Sequence, residues 1–171
     1  WKPSFKKKAS GLEGVREGSH WTVDVCGYFP ASIVTKSWRL KTKGEKYFVC
    51  CQEYKTGDTF VHVAVKKTET WTALSMALRT RNVHTCARGD DSFDSFDRLV
   101  SVRSDSGTEF LNSEWDTAQV THNFKLNASP RDSSQSNAAE ARIKSLETTA
   151  RANLHQSGLP LRFFSYSVTT A

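Results

Sequence analysis

The stretch His20-Trp-Thr-Val-Asp-Val-Cys-Gly-Tyr-Phe-Pro30 decides how the rest of the chain is read. Trp21, Val23 and Val25 alternate with Thr22 and Asp24, the period of a strand with one apolar face. The pattern predicts a strand over 20–29, closed by Gly27 and Pro30. Asp24 stands mid-strand between two valines. A carboxylate buried there without a partner is costly, so the position asks for a partner or a metal.

Working outward, Tyr47 to Gln52 is a nearly continuous apolar run, typical of a strand buried on both faces. Thr56-Gly-Asp58 is a hairpin-turn signal, and Thr59 to Val65 alternates again. Three strands so close in sequence suit an antiparallel meander. Thr68 then reads as a helix N-cap with Glu69 in the first turn, and Trp71, Leu74, Ala77 and Leu78 form a helical stripe. Asn82 to Asp97 is polar and reads as a loop. Leu99 to Val102 predicts a short strand that delivers Asp105, with Gly107 in the turn after it. A short helix over Asn112–Thr121 and a strand over His122–Leu126 follow. Ser129 to Ser136 is a connection containing Pro130. Asn137 to Gln156 is the strongest helix, with Ala139, Ile143, Leu146, Ala150 and Leu154 at helical spacing and Gly158 and Pro160 beyond its end. Leu161 to Ala171 suits one more helix. The expected fold class is α/β, a mixed five-stranded sheet flanked by helices.

The 171 residues suffice for one domain with a sizeable core. No apolar run approaches the length of a membrane span, and the basic N-terminus lacks the apolar stretch of a secretory signal. The expectation is therefore no membrane and no secretion. The chain starts without Met, which suggests a piece of a longer polypeptide: a basic linker over 1–19 and a core over 20–171, truncated at its C-terminus. The net charge of +6 favours polyanionic partners, nucleic acid foremost, although it serves solubility equally well. Lys6, Lys7 and Lys8 make one basic cluster. Lys36, Arg39, Lys41, Lys43 and Lys46 make another, with Trp38 inside it. Such a stretch can grip phosphates and stack on a base, or it can be a solvated loop. Cys26, Cys50, Cys51 and Cys86 show no C-x-x-C spacing and read as free thiols of a reducing compartment.

Three carboxylates carry the chemistry that this arrangement offers. Asp24 is mid-strand, Asp105 closes the next well-defined strand, and Glu140 opens the long helix. Carboxylates aimed from strands at one point build sites for Mg2+ or Mn2+, hard cations that prefer oxygen ligands. Two such ions activate an attacking oxygen and stabilise a leaving one in phosphodiester chemistry. Each residue also has a plainer reading. Asp24 suits an edge-strand surface acid, Asp105 an Asx-turn before Gly107, and Glu140 an exposed helix acid.

The segment Ser104-Asp-Ser-Gly-Thr-Glu-Phe110 resembles the S-D-N-G-G-E-F signature of retroviral-type integrases. Val23-Asp-Val-Cys-Gly-Tyr-Phe-Pro30 resembles the D-L-C-G-P-F-P stretch of copia-type retrotransposon integrases, and Lys46-Tyr-Phe-Val49 their R-Y-F-V strand. Glu140, Leu146, Ala150-Arg151, Leu154-His155, Gly158-Leu-Pro160 and Arg162-Phe163 follow that family's spaced pattern of E, L, A-R, M-L-H, G-L-P and R-F-W. The likeness runs from about His20 to the end. It implies a ribonuclease-H-like fold and the catalytic core of an LTR-retrotransposon integrase, processed from a polyprotein. Asp24, Asp105 and Glu140 would be the triad holding two Mg2+ or Mn2+ ions, for 3′-end processing and strand transfer of DNA. The resemblance also implies a homo-oligomer, passing from a virus-like particle to the nucleus, and it makes Gln135 and Asn137 DNA contacts. Lys144, one turn after Glu140, is a further phosphate-contact candidate, and a solvated lysine on the plainer reading.

Some positions depart from the pattern. The family places its glutamate four residues after Asn, whereas Asn137-Ala-Ala-Glu140 places it three after, and Ala141 falls where that anchor points. Leu146 and Ala150-Arg151 keep the family spacing from Glu140, which favours Glu140 and a one-residue slip before the helix. Ala138 and Ser106-Gly-Thr108 replace family glycines and asparagine. These changes keep open a catalytically decayed remnant that binds DNA or oligomerises. Another ribonuclease-H-like nuclease or a DDE transposase is the remaining alternative. His122 and His155 read as packing or capping residues.

Overall fold

The structure is a computed structural model that describes residues 15–29, 44–86, 95–129 and 138–171. Strands β1 (His20–Cys26), β2 (Tyr47–Glu53) and β3 (Thr59–Ala64) form the expected antiparallel meander. Helices α1 (Thr70–Cys86) and α2 (Ser95–Arg98) precede β4 (Ser101–Asp105), and α3 (Ser113–His122) leads to β5 (Lys125–Ser129). Helix α4 (Ala138–Ser157) is followed by a 3-10 turn over Leu161–Phe163 and by α5 (Phe164–Thr169). β4 runs parallel to β1, and β5 parallel to β4, so the sheet order is β3-β2-β1-β4-β5. The sheet is mixed and five-stranded, as its sequence pattern implies.

The two faces of the sheet carry separate cores. Trp21 and Val23 of β1, Val49 and Cys51 of β2 and Val102 of β4 pack with Leu74, Leu78, Trp115 and Phe124. On the other face Phe48 and Cys50 meet Ile143, Leu146, Ala150 and Leu154 of α4, with Phe164 and Val168 of α5. β2 is buried on both sides, which its unbroken apolar run requires. Cys50 and Cys51 are buried on opposite faces, and both are free thiols, as is the half-buried Cys26.

Several element boundaries differ from expectation. α1 begins at Thr70, because the Glu69 carbonyl accepts the first helical bond from Ala73 (3.0 Å); Thr68 lies outside the helix. The helix then continues to Cys86, into the stretch expected to be a loop: its packed turns, from Ala73 and Leu74 to Leu78 and Arg81, nucleate it, and adding further turns to a formed helix costs little. α3 starts where expected, with the Asn112 side chain accepting from the Glu114 and Trp115 amides. It runs on to His122 and is closed by Asn123 in the left-handed conformation (φ 50°), so the next strand starts three residues later than its pattern suggests. His122 is a packing residue, its ring 4.8 Å from Phe96 and 5.7 Å from Trp71, centroid to centroid. Gly158 (φ +66°) ends α4, with Leu159 N–H bonded to the Leu154 carbonyl and Gly158 N–H to that of His155, a Schellman closure.

Trp115 ties α3 to α1. It is fully buried, and its indole N–H donates to Thr70 Oγ1 at 2.8 Å. Trp115→Ala is expected to cost about 3–5 kcal/mol in urea unfolding, the usual toll for emptying a buried aromatic site. Trp115→Phe should lose less, since it keeps most of the volume.

Candidate active site

The parallel pairing of β1 with β4 brings the first two carboxylates together. Thr22 is the register partner of Arg103. Two residues further along each strand, on the same face, stand Asp24 and Asp105, on strands whose usual separation is about 4.8 Å. Alternation fixes the face: Trp21, Val23 and Val102 point to the α1 side, so Asp24 and Asp105 are directed to the α4 side. The first turn of α4 contains Glu140.

Asp24 registers this gathering of charge. Its carboxyl is pushed up to about 6, foremost by burial and further by the charges of Asp105, Glu140 and Glu109. A bond from the Val25 amide to Asp24 Oδ1 (2.8 Å) works in the opposite direction. None of the ion pairs among the described residues involves Asp24. A partly buried carboxylate surrounded by like charges is stabilised by a cation, and an all-carboxylate donor set fits a hard divalent ion. By donor chemistry, then, the residues present suit Mg2+ or Mn2+.

Their present engagements are local. Asp105 Oδ1 accepts from Gly107 N–H at 3.1 Å, the Asx-turn. Glu140 Oε1 lies 2.9 Å from Lys144 Nζ. Among the described residues no three His, Cys, Asp or Glu side chains stand grouped as a ready metal-ligand set. Asp24, Asp105 and Glu140 thus share an electrostatic neighbourhood without forming a closed cage. In α4, Ala139 is buried, Glu140 half-buried and Ala141 exposed. The charge of Glu140 reaches Asp24, while Ala141 carries no donor. Lys144 is exposed and paired to Glu140. Gln135 and Asn137 lie outside the described residues, as do both basic clusters except Lys46, whose Nζ sits 5.4 Å from the Tyr28 ring centre.

Two residues of this neighbourhood carried no assignment from the sequence. Glu109 is buried in the 3-10 turn after β4, and its Oε1 lies 2.7 Å from Lys67 Nζ. A Cβ on Gly107 would fall 2.5 Å from the Glu109 carboxylate, so the glycine leaves room for that acid. The signal was present in the short spacing Gly107-Thr-Glu109, but nothing in it indicates a buried acid. Glu53, by contrast, is structural: fully buried, it accepts from the amides of Gly18 and Thr56 and closes the β2–β3 turn.

Neither a family model nor a curated protein matches the sequence. Solved structures do match the fold. A chain of the simian T-cell lymphotropic virus intasome, solved in complex with the PP2A regulatory subunit B56 gamma, aligns with a TM-score of 0.61 at 13% identity over 92% of this chain and 49% of that one. The HTLV-2 integrase catalytic core domain in complex with magnesium aligns in its trimeric form (TM-score 0.56, 15% identity, 92% of this chain and 84% of that one). Its dimeric form aligns similarly (0.54, 15%, 90% and 81%). The chain spans about half the length of the intasome chain and most of the isolated cores. The fold is ribonuclease-H-like.

The raised carboxyl of Asp24 has a consequence for stability. Between its ordinary value of 3.8 and about 6, the unfolded chain loses this proton while the folded chain keeps it, so stability falls as pH rises through that window. In EDTA, Asp24→Asn should therefore be more stable than the parent chain above about pH 6, with the difference fading towards pH 4. Urea midpoints at the two ends of the window measure it. Added Mg2+ should narrow the gap by stabilising the parent alone.

Proposed function

We propose that this chain is the catalytic core of an integrase, cutting and joining DNA phosphodiesters with divalent metal ions. The observation that carries the reading is the placement of Asp24 and Asp105 on one face of two parallel neighbouring strands, with Glu140 close enough to act on Asp24. The ribonuclease-H-like fold and its likeness to the HTLV-2 integrase core, solved with magnesium in both its trimeric and dimeric forms, support it. The copia-like segments argue for an LTR-retrotransposon source, a polyprotein precursor, passage from a virus-like particle to the nucleus, and assembly as a homo-oligomer on element-end and target DNA.

In this mechanism Asp24, Asp105 and Glu140 would hold the metal ions. When bound, a pair of such ions supplies activation of the attacking oxygen, from water in end processing and from the 3′-hydroxyl in strand transfer, and stabilisation of the departing one. Asp24, its carboxyl raised to about 6 in the bare site, would give up its proton to bind a cation as the counter-charge. As a ligand, Glu140 would give up its contact with Lys144, which would leave the Lys144 ammonium to meet a phosphate. Gln135 and Asn137, just ahead of α4, would meet the DNA end. No covalent protein intermediate is required.

A second reading has its own support. Glu140 is occupied by Lys144, and no ready metal-ligand group exists among the described residues, as befits a decayed core that binds DNA without cutting it. One assay separates the two. With Mn2+ and duplexes bearing element ends, the parent chain should process or join DNA, and Asp24→Asn, Asp105→Asn and Glu140→Gln should each fall to background. Binding without cleavage by the parent selects the remnant. Cleavage that survives all three substitutions removes the triad.

A further inference from the structure

Lys67 belongs to the same end of the sheet as the candidate triad. β1 and β4 are parallel, and β3 runs the same way as β1 because both are antiparallel to β2. The C-terminal ends of β1, β3 and β4 therefore lie together. β1 and β4 contribute Asp24 and Asp105 there, and the chain leaving β3 contributes Lys67 three residues after Ala64.

The environment of Lys67 is unusual for a surface lysine. Its ammonium is 2.7 Å from a carboxylate that is only 4% exposed, while its own side chain remains 49% exposed. The head group thus bridges a buried acid and open solvent. It has three N–H donors, and Glu109 Oε1 uses one. The hydrogen bond that the ammonium donates to Glu109 raises the Lys67 pKa, with Asp105 adding to the effect.

The acid that holds Lys67 is itself fixed. The Glu109 carbonyl accepts from Thr70 Oγ1 (3.1 Å) and from Asn112 Nδ2 (3.0 Å), which ties the turn to α1 and to the cap of α3. Packing around Gly107 confines the carboxylate. A free lysine loses side-chain entropy when it grips a phosphate, and one already held by a rigid partner loses less. Phosphate oxygens approaching the carboxylates also meet repulsion from Asp24, Asp105, Glu140 and Glu109, which a fixed cation at their edge offsets.

We propose that Lys67, preorganised by Glu109, is a phosphate-contacting residue that holds the DNA backbone beside the carboxylate site. The proposal rests on the DNA-processing reading above. The bland rival is an ion pair that serves only to neutralise Glu109.

Salt dependence of binding tells the two apart. The probe is a short fluorescein-labelled duplex of random sequence, titrated with the full chain across a KCl series at constant Mg2+. The variant Lys67→Met with Glu109→Gln removes both charges, so it leaves no unpaired buried acid and does not alter the net charge. Its folding is checked by urea unfolding. The double variant should reduce the slope of log affinity against log salt by about 0.9, the loss of one phosphate contact. Lys67→Arg should keep the parent slope. A folded double variant with the parent slope overturns the proposal and leaves the DNA reading standing. A parent chain with no salt-dependent affinity for the duplex removes the DNA reading and this proposal with it.

Discussion

The parallel pairing of β1 with β4 is the constraint on which the rest depends. It joins an antiparallel meander to a parallel pair and makes β1 the middle strand of the sheet. Because side chains alternate, the register that pairs Thr22 with Arg103 also sets Asp24 beside Asp105 and turns both from the Trp21–Val23–Val102 core towards α4. A slip of one residue would send one acid into the apolar core, at the cost of burying an unpaired charge. The hydrophobic pattern of β1 therefore protects the carboxylate geometry as a by-product of protecting the core.

That geometry concentrates negative charge. Asp24 feels Asp105, Glu140 and Glu109 at once, and its carboxyl rises accordingly. The chain answers with two lysines, Lys67 on Glu109 and Lys144 on Glu140. The pairs differ in kind. Glu140–Lys144 joins neighbouring turns of one helix and is largely exposed, so it is weak and readily exchanged. Lys67–Glu109 joins distant segments, and its acid is buried, so releasing it would strand a charge. The first suits a ligand that changes partners, the second a fixed anchor.

Much of the fold was legible because burial leaves a period in the sequence. The alternation in His20–Cys26, the doubly apolar Tyr47–Glu53 and the stripe from Ala139 to Leu154 all correspond to elements of the structure. The boundaries that moved were set by tertiary or local effects. α1 runs on into a polar stretch from turns already packed through Leu78 and Arg81, and Asn123 delays β5 by adopting a left-handed cap that few residues take easily. The site was legible less evenly. Asp24 and Asp105 stood out as acids at strand positions. Glu140 depended on resemblance to a spaced pattern, since one acid on a helix looks like any other. Glu109 lay within the resembling motif with nothing to mark it as buried, and its pairing with Lys67 was not legible, because the contact spans turns far apart in the chain.

By itself, the sequence determined the order of the main strands and helices, which of their faces are apolar, and that a mid-strand acid needed an electrostatic explanation, because these follow from local periodicity and the cost of burying charge. Only the tertiary structure decided that β4 lies next to β1, that α4 covers the face carrying Asp24, and that a buried glutamate holds Lys67 at the same end of the sheet. Strand order and the meeting of distant side chains are set by packing many segments at once, and no local pattern encodes them.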